Sequence, residues 1–194
     1  LQNLVPRKLA EVQFDATELG AQHLGHIVEN SVTQQALWQT AEACPQVSLF
    51  HGQGVASLAQ SGDTATVTLD DDRELLASLV VGCDGAQSRI RDLAGIGVTR
   101  NQYDQQAMVI SVRYQGPVED ITWQGFHPSG PRAFLPLHSA GPEHPGESWG
   151  SLVWYDSPDE LARLKALDDS TLMSEIQSSF PASLPLLTHI DIKA

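Results

Sequence analysis

The sequence predicts an α+β fold in two parts: a β-meander followed by a strand, a turn and a helix, joined to a separate mixed β-sheet with covering helices. Three observations carry this. Short β-prone runs separated by tight-turn residues fill residues 47–81. Residues 79–96 then read as a short apolar strand, a glycine-marked turn and a helix. Beyond residue 106, four alternating segments hold much of the aromatic content, and two amphipathic helical segments follow them.

At 194 residues with 41% hydrophobic content, the chain has enough apolar material for a sizeable core. It opens on Leu1-Gln2-Asn3-Leu4-Val5-Pro6, with neither Met nor a basic and then apolar leader, so it is expected to be an internal piece of a longer polypeptide. No apolar run approaches the ~20 residues of a membrane-spanning helix. The net charge of −13, from 24 acids against 11 bases, opposes phosphate backbones and argues against nucleic-acid binding. Acidic surface also disfavours adhesion to anionic lipid. Cys44 and Cys83 stand far apart without a CxxC pattern, which suits two free thiols in a reducing cytoplasm.

In chain order, residues 8–14 alternate weakly as a strand and residues 15–25 read as a loop. Residues 32–44 have near-helical apolar spacing, with Asn30 or Ser31 as N-cap and Pro45 as the stop. Residues 47–50, 55–58, 64–69 and 74–81 are the β-prone runs; Gln60-Ser61-Gly62-Asp63 and Asp70-Asp71-Asp72-Arg73 are hairpin turns. In residues 79–96, Leu79-Val80-Val81 is the strand, Gly82 and Gly85 mark the turn, and residues 88–94 continue as helix. Residues 107–114, 122–126, 132–137 and 149–155 are four further strands between Pro/Gly-rich loops, including residues 139–146. Ser157-Pro158-Asp159-Glu160 opens one helix with a cap, a first-turn proline and acids at the positive end, and residues 170–180 form another. Residues 189–193 begin a returning strand.

Few of these residues assemble into a catalytic set. His23 and His26 lie in a glycine-containing loop with no third ligand, so no metal site is expected. The triple aspartate lacks the spacing of a calcium loop. Gly52-Gln53-Gly54 begins like a dinucleotide fingerprint but has Ser57 where the third glycine belongs. Gly146-Glu147-Ser148-Trp149-Gly150 matches a nucleophile elbow but is preceded by a loop and followed by a strand. Two features remain. Asp84 sits at the end of a strand before a helix, where a carboxylate serves either as helix cap or as acceptor for a nucleotide's ribose hydroxyls. The aromatic strands, with Trp123, Phe126, Phe134 and Trp154, either pack against helices or line a pocket for a planar apolar substrate.

Gly82-Cys83-Asp84-Gly85-Ala86-Gln87-Ser88-Arg89-Ile90-Arg91 resembles the Asp-Gly fingerprint of the single-component flavin-dependent aromatic hydroxylases, Gly-x-Asp-Gly-x-x-Ser-x-x-Arg, with every fixed position filled. Gly25-His26-Ile27-Val28-Glu29-Asn30, Thr122-Trp123-Gln124-Gly125-Phe126, Gly130-Pro131-Arg132-Ala133-Phe134-Leu135-Pro136-Leu137 and Ser151-Leu152-Val153-Trp154-Tyr155-Asp156 are similar to the ubiquinone-biosynthesis branch of that family.

The resemblance implies that residues 1–100 are part of a FAD-binding domain, residues 101–188 a substrate-binding sheet with helices, and residues 189–194 the start of a return to the first domain. It implies FAD held by Asp84, Gly85, Ser88 and Arg91. Asn30 falls where the family places a larger Arg or Gln near the flavin ribityl and phosphate, with capping alone as the alternative. It further implies NAD(P)H as reductant and hydroxylation of a polyprenyl benzoquinol ring through a flavin C4a-hydroperoxide. A cytoplasmic enzyme with peripheral contact at the inner membrane and with other ubiquinone-biosynthesis proteins would follow. Neither the family's GxGxxG segment nor its later Gly-Asp segment is found in the sequence, so the piece alone is expected to hold no FAD and to be inactive. The competing expectation is a non-catalytic β-rich module that binds a lipid or a partner protein.

Overall fold

A computed structural model describes residues 11–138 and 145–193. The chain divides into two units, residues 34–103 and residues 1–33 with 104–194.

The first unit is built on a meander. Strands β1 (Val55–Ser61), β2 (Thr64–Leu69) and β3 (Glu74–Ala77) form an antiparallel sheet in that order. Its two hairpin turns fall on the segments expected from their Gly and Asp content: Gly62 has φ 58° and Asp72 has φ 64°. The short helix α2 (Arg89–Leu93) follows. Helix α1 (Asn30–Glu42) runs across the division. Asn30 is its first helical residue rather than its cap, because the Glu29 carbonyl accepts the first helical bond from the Thr33 N–H at 3.2 Å.

Two expected strands are absent from this unit. Residues 47–50 are irregular, and β3 stops at Ala77, leaving Leu79 and Val81 at 76% and 69% exposure outside any ladder. The physical reason is common to both. An apolar β-prone run becomes a strand only beside a neighbour that takes its N–H and C=O groups, and the three-stranded sheet supplies none there. Residues 11–14 likewise form no strand, residues 8–10 of that expectation lying outside the described residues. The loop at residues 15–25 contains one 3-10 turn, Ala16–Leu19, capped by Asp15 and closed by Gly20.

The second unit carries the core. Strands β4 (Gln106–Gln115), β5 (Trp123–His127), β6 (Gly130–Leu137), β7 (Glu147–Asp156) and β8 (Leu187–Lys193) form a five-stranded sheet in the order β5-β6-β7-β4-β8. Every pairing is antiparallel, a narrower arrangement than the mixed sheet expected. The segment expected to begin a returning strand at His189 is most of β8, and it lies along β4. Helices α3 (Pro158–Lys165) and α4 (Asp169–Ser179) begin at Ser157 and Asp168, whose side chains accept the N–H groups of Glu160 and Thr171.

Period-two alternation explains the core. Met108, Ile110, Val112 and Tyr114 of β4, Phe134 of β6, and Leu152 and Trp154 of β7 all turn to one face. They meet Leu161 and Leu164 of α3 and Leu172 and Ile176 of α4 in one buried cluster. The loop expected at residues 139–146 lies mostly outside the described residues.

Candidate functional site

The turn between β3 and α2 is organised by two side chains in series. Asp84 accepts from the Ser88 hydroxyl, from the Arg89 N–H at 2.7 Å and from the Ile90 N–H at 3.1 Å. Ser88 in turn caps α2 by accepting the Arg91 N–H at 3.1 Å. The spacing forces this. A carboxylate four residues before a cap serine reaches both the serine and the first free N–H groups of the helix. The bonds from Ser88 and then Ile90 hold the Asp84 carboxyl down at about 2, so it is ionised at all ordinary pH.

Glycines shape the same turn. Gly85 has φ +86°, in the region that L side chains rarely adopt. A Cβ on Gly82 would stand 2.9 Å from Cγ2 of Ile90, so the strand-side glycine lets the helix close on the turn. Arg91 folds back, donating to the Ala86 carbonyl at 3.1 Å. Its Nε and second terminal nitrogen are buried without a hydrogen-bond partner among the described residues, the former 3.6 Å from Asp92. Asp84, Gly85, Ser88 and Arg91 therefore form one cluster. Asn30 is an exposed residue at the start of α1 in the other unit.

The cluster's chemistry fits a polyhydroxylated group. Asp84 has filled Oδ2 with two N–H bonds and Oδ1 with one hydroxyl, so Oδ1 retains a free acceptor position at an exposed turn. Sequence reasoning missed the shallow cavity of about 370 Å³ beside it, lined by Ala86, Gln87 and residues 98–102. No acidic side chain lines it, an unusual feature in so acidic a chain.

The four expected pocket residues have different surroundings. Phe134 and Trp154 are 5% and 2% exposed inside the core, and Trp123 packs against it. Phe180 stands edge-on to Trp123 at 5.8 Å and to Trp154 at 5.5 Å, so these rings fill the space between sheet and helices. Phe126 is 84% exposed. Ser148, centre of the elbow-like motif, is buried in β7 with its hydroxyl donated to the Gly116 carbonyl at 2.7 Å. No group of three or more metal-ligating side chains occurs among the described residues.

Residues 8–180 match the family described as FAD binding domain. The chain belongs to that FAD binding domain family. It is 44% identical over 181 residues to 3-demethoxyubiquinol 3-hydroxylase of Escherichia coli, covering 93% of this chain and 44% of that protein. It is 33% identical to the mitochondrial ubiquinone biosynthesis monooxygenase COQ6 of Mus musculus, covering 88% of this chain and 36% of that protein. This FAD binding domain chain thus spans less than half the length of these curated relatives. Among solved structures, pqsL of Pseudomonas aeruginosa superposes with a TM-score of 0.60 at 21% identity, over 75% of this chain and 39% of that one, a likeness of fold.

Proposed function

We propose that the chain is part of a flavin-dependent monooxygenase that hydroxylates the ring of a polyprenyl benzoquinol in ubiquinone biosynthesis. The observation that carries this reading is the completely filled Asp-Gly cluster in a sequence 44% identical to a 3-demethoxyubiquinol 3-hydroxylase. Asp84 accepts a ribose or ribityl hydroxyl of FAD at Oδ1. Gly85 and Ser88 hold the turn that presents it, and Arg91, braced on the Ala86 carbonyl, lends its positive charge to the same cofactor. FAD, reduced by NAD(P)H, supplies the oxygen chemistry, which explains why no acid–base or metal constellation is needed from the chain.

The protein's own tasks are then binding, orientation and exclusion of water. The quinol's prenyl tail places the work at a membrane surface on the cytoplasmic side, in company with other enzymes of the pathway. No helix among the described residues is long and apolar enough to cross a bilayer.

The test is a purification of the full polypeptide that carries this chain. The expected outcome is a yellow protein with bound FAD, whose NAD(P)H oxidation accelerates when a short-tailed demethoxyubiquinol is added. A colourless protein, indifferent to the quinol, defeats the reading and favours a non-catalytic lipid- or partner-binding module.

A further inference from the structure

The hairpin of β5 and β6 turns Trp123, Gly125 and His127 of one strand and Arg132 and Phe134 of the other to the face that meets the helices, where the Trp123 ring packs on Phe134 and Phe180. Register on that face sets glycines against long side chains: Gly125 stands opposite Arg132, and His127 opposite Gly130. The diagonal between His127 and Arg132 is the cross-strand contact this leaves, and diagonal neighbours lie within reach of aromatic and long side chains. His127 also folds back along its own strand. A Cβ on Gly125 would stand 3.6 Å from its Nε2 and 4.0 Å from Cγ of Pro181, just beyond the end of α4. The imidazole is half-buried there.

Arg132 is committed on several sides. Its guanidinium lies over the Trp154 ring at 4.2 Å, donates from Nη1 to the carbonyl of Ser179 in the last turn of α4 at 2.8 Å, and stands 3.9 Å from Asp156. Its side chain is 12% exposed, and its Nε is buried without a hydrogen-bond partner among the described residues. Asp156 is the carboxylate within reach, and it already accepts the Trp154 indole N–H at 3.3 Å and the Ser157 N–H at 2.9 Å. Glu160 of α3 adds a more distant negative charge toward Arg132. Tyr155 approaches Gly130 from β7 and is neutral below pH 9 or so. The end of α4 contributes Ser179, Phe180 and Pro181, none of which titrates. Among the described residues, the charge that His127 meets is the Arg132 cation.

We propose that His127 and Arg132 form an acid-sensitive latch, in which protonation of the imidazole sets two cations against one carboxylate and releases the β5–β6 hairpin from the end of α4. Arg132 cannot shed its proton, so relief comes by movement. Burial, and after it the Arg132 charge, hold His127 below the ordinary imidazole value of about 6.5. Stability is therefore complete above that value and is lost as pH falls through the lowered one. The loss is local. The hairpin is tied to α4 by the Arg132 bond to Ser179 and by Trp123 against Phe180, and β5 is an edge strand, whereas β7 is flanked by β4 and β6.

The test is amide hydrogen exchange on the full polypeptide that carries this chain, compared as protection factors because intrinsic exchange itself slows in acid. Between about pH 7.5 and about pH 5, protection of residues 123–127 should fall by about fivefold or more, while residues 150–154 of β7 keep theirs. His127→Gln, which stays neutral, should hold β5 protection constant across the same range. Arg132→Gln removes the other cation and should abolish the step as well, whatever its effect on overall stability. Protection of β5 that is unchanged in the parent overturns the proposal. So does a loss shared equally by β7, which is general acid unfolding, or a loss that persists in His127→Gln.

Discussion

Asp84 serves its own helix and, in the function proposed, a cofactor hydroxyl with the same carboxylate, and substitution can separate the two roles. Asn caps helices about as well as Asp but brings no charge. Asp84→Asn is therefore expected to keep α2 formed while lowering FAD retention in the full polypeptide by on the order of tenfold, the scale of a hydrogen bond to a charged acceptor. Asp84→Ala should lose both. Flavin content equal to the parent's in both variants would falsify the ribose role. Its carboxyl lies below the ordinary value, so the stability it lends is complete above about pH 4 and fades as pH falls through about 2. Carboxyl NMR following Asp84 should show a midpoint near 2; a midpoint near 4 would mean that the Ser88 and Ile90 bonds are not made in solution. This cluster was legible in the sequence because its partners lie within six residues of one another. The set of Arg132, Trp154 and Asp156 was not, since only the register of β6 on β7 brings those positions together.

Among elements, the strands with clean alternation were the readable ones. β4 to β7 fall within two residues of expectation because every second side chain had a core to enter and every other one did not. Runs such as residues 47–50 and 79–81 show only that a segment is apolar and extended. They do not identify a neighbour, and without one they stay irregular. The aromatic strands allowed either helix packing or a ligand pocket, and sequence could not choose because the choice depends on where α3 and α4 dock. The α3 cap was plain from Ser157-Pro158-Asp159-Glu160, and Ser157 indeed accepts the Glu160 N–H at 3.3 Å. Ser157→Ala should cost about 1 kcal/mol, read as a lower urea midpoint with an unchanged slope. An unaltered midpoint would show that docking of Leu161 and Leu164, rather than the cap, sets the helix start.

For the whole molecule, stability is concentrated in one unit. Leu152 is fully buried at the centre of the cluster joining sheet to helices, so Leu152→Ala should cost about 2–5 kcal/mol. Chemical denaturation followed by tryptophan fluorescence checks this, because Trp154 lies in the same cluster. A loss under 1 kcal/mol would mean that the helices do not close on the sheet as described. The meander unit contrasts with this. Val67 and Leu69 are its buried apolar residues, whereas Leu37, Leu76, Leu79, Val81 and Ile96 are each more than 60% exposed.

Residues 79–81 carry that contrast down to individual protons. Their peptide groups belong to no ladder, so in this chain their amide hydrogens should exchange with solvent at close to the rate of an unstructured peptide. In the FAD-binding polypeptide proposed above, a strand laid beside them would slow that exchange by orders of magnitude. Three amides ahead of Asp84 thus act as an isotope clock for assembly: deuterium uptake there, timed against the appearance of flavin colour, reports whether the cofactor turn is built before or after its neighbour arrives.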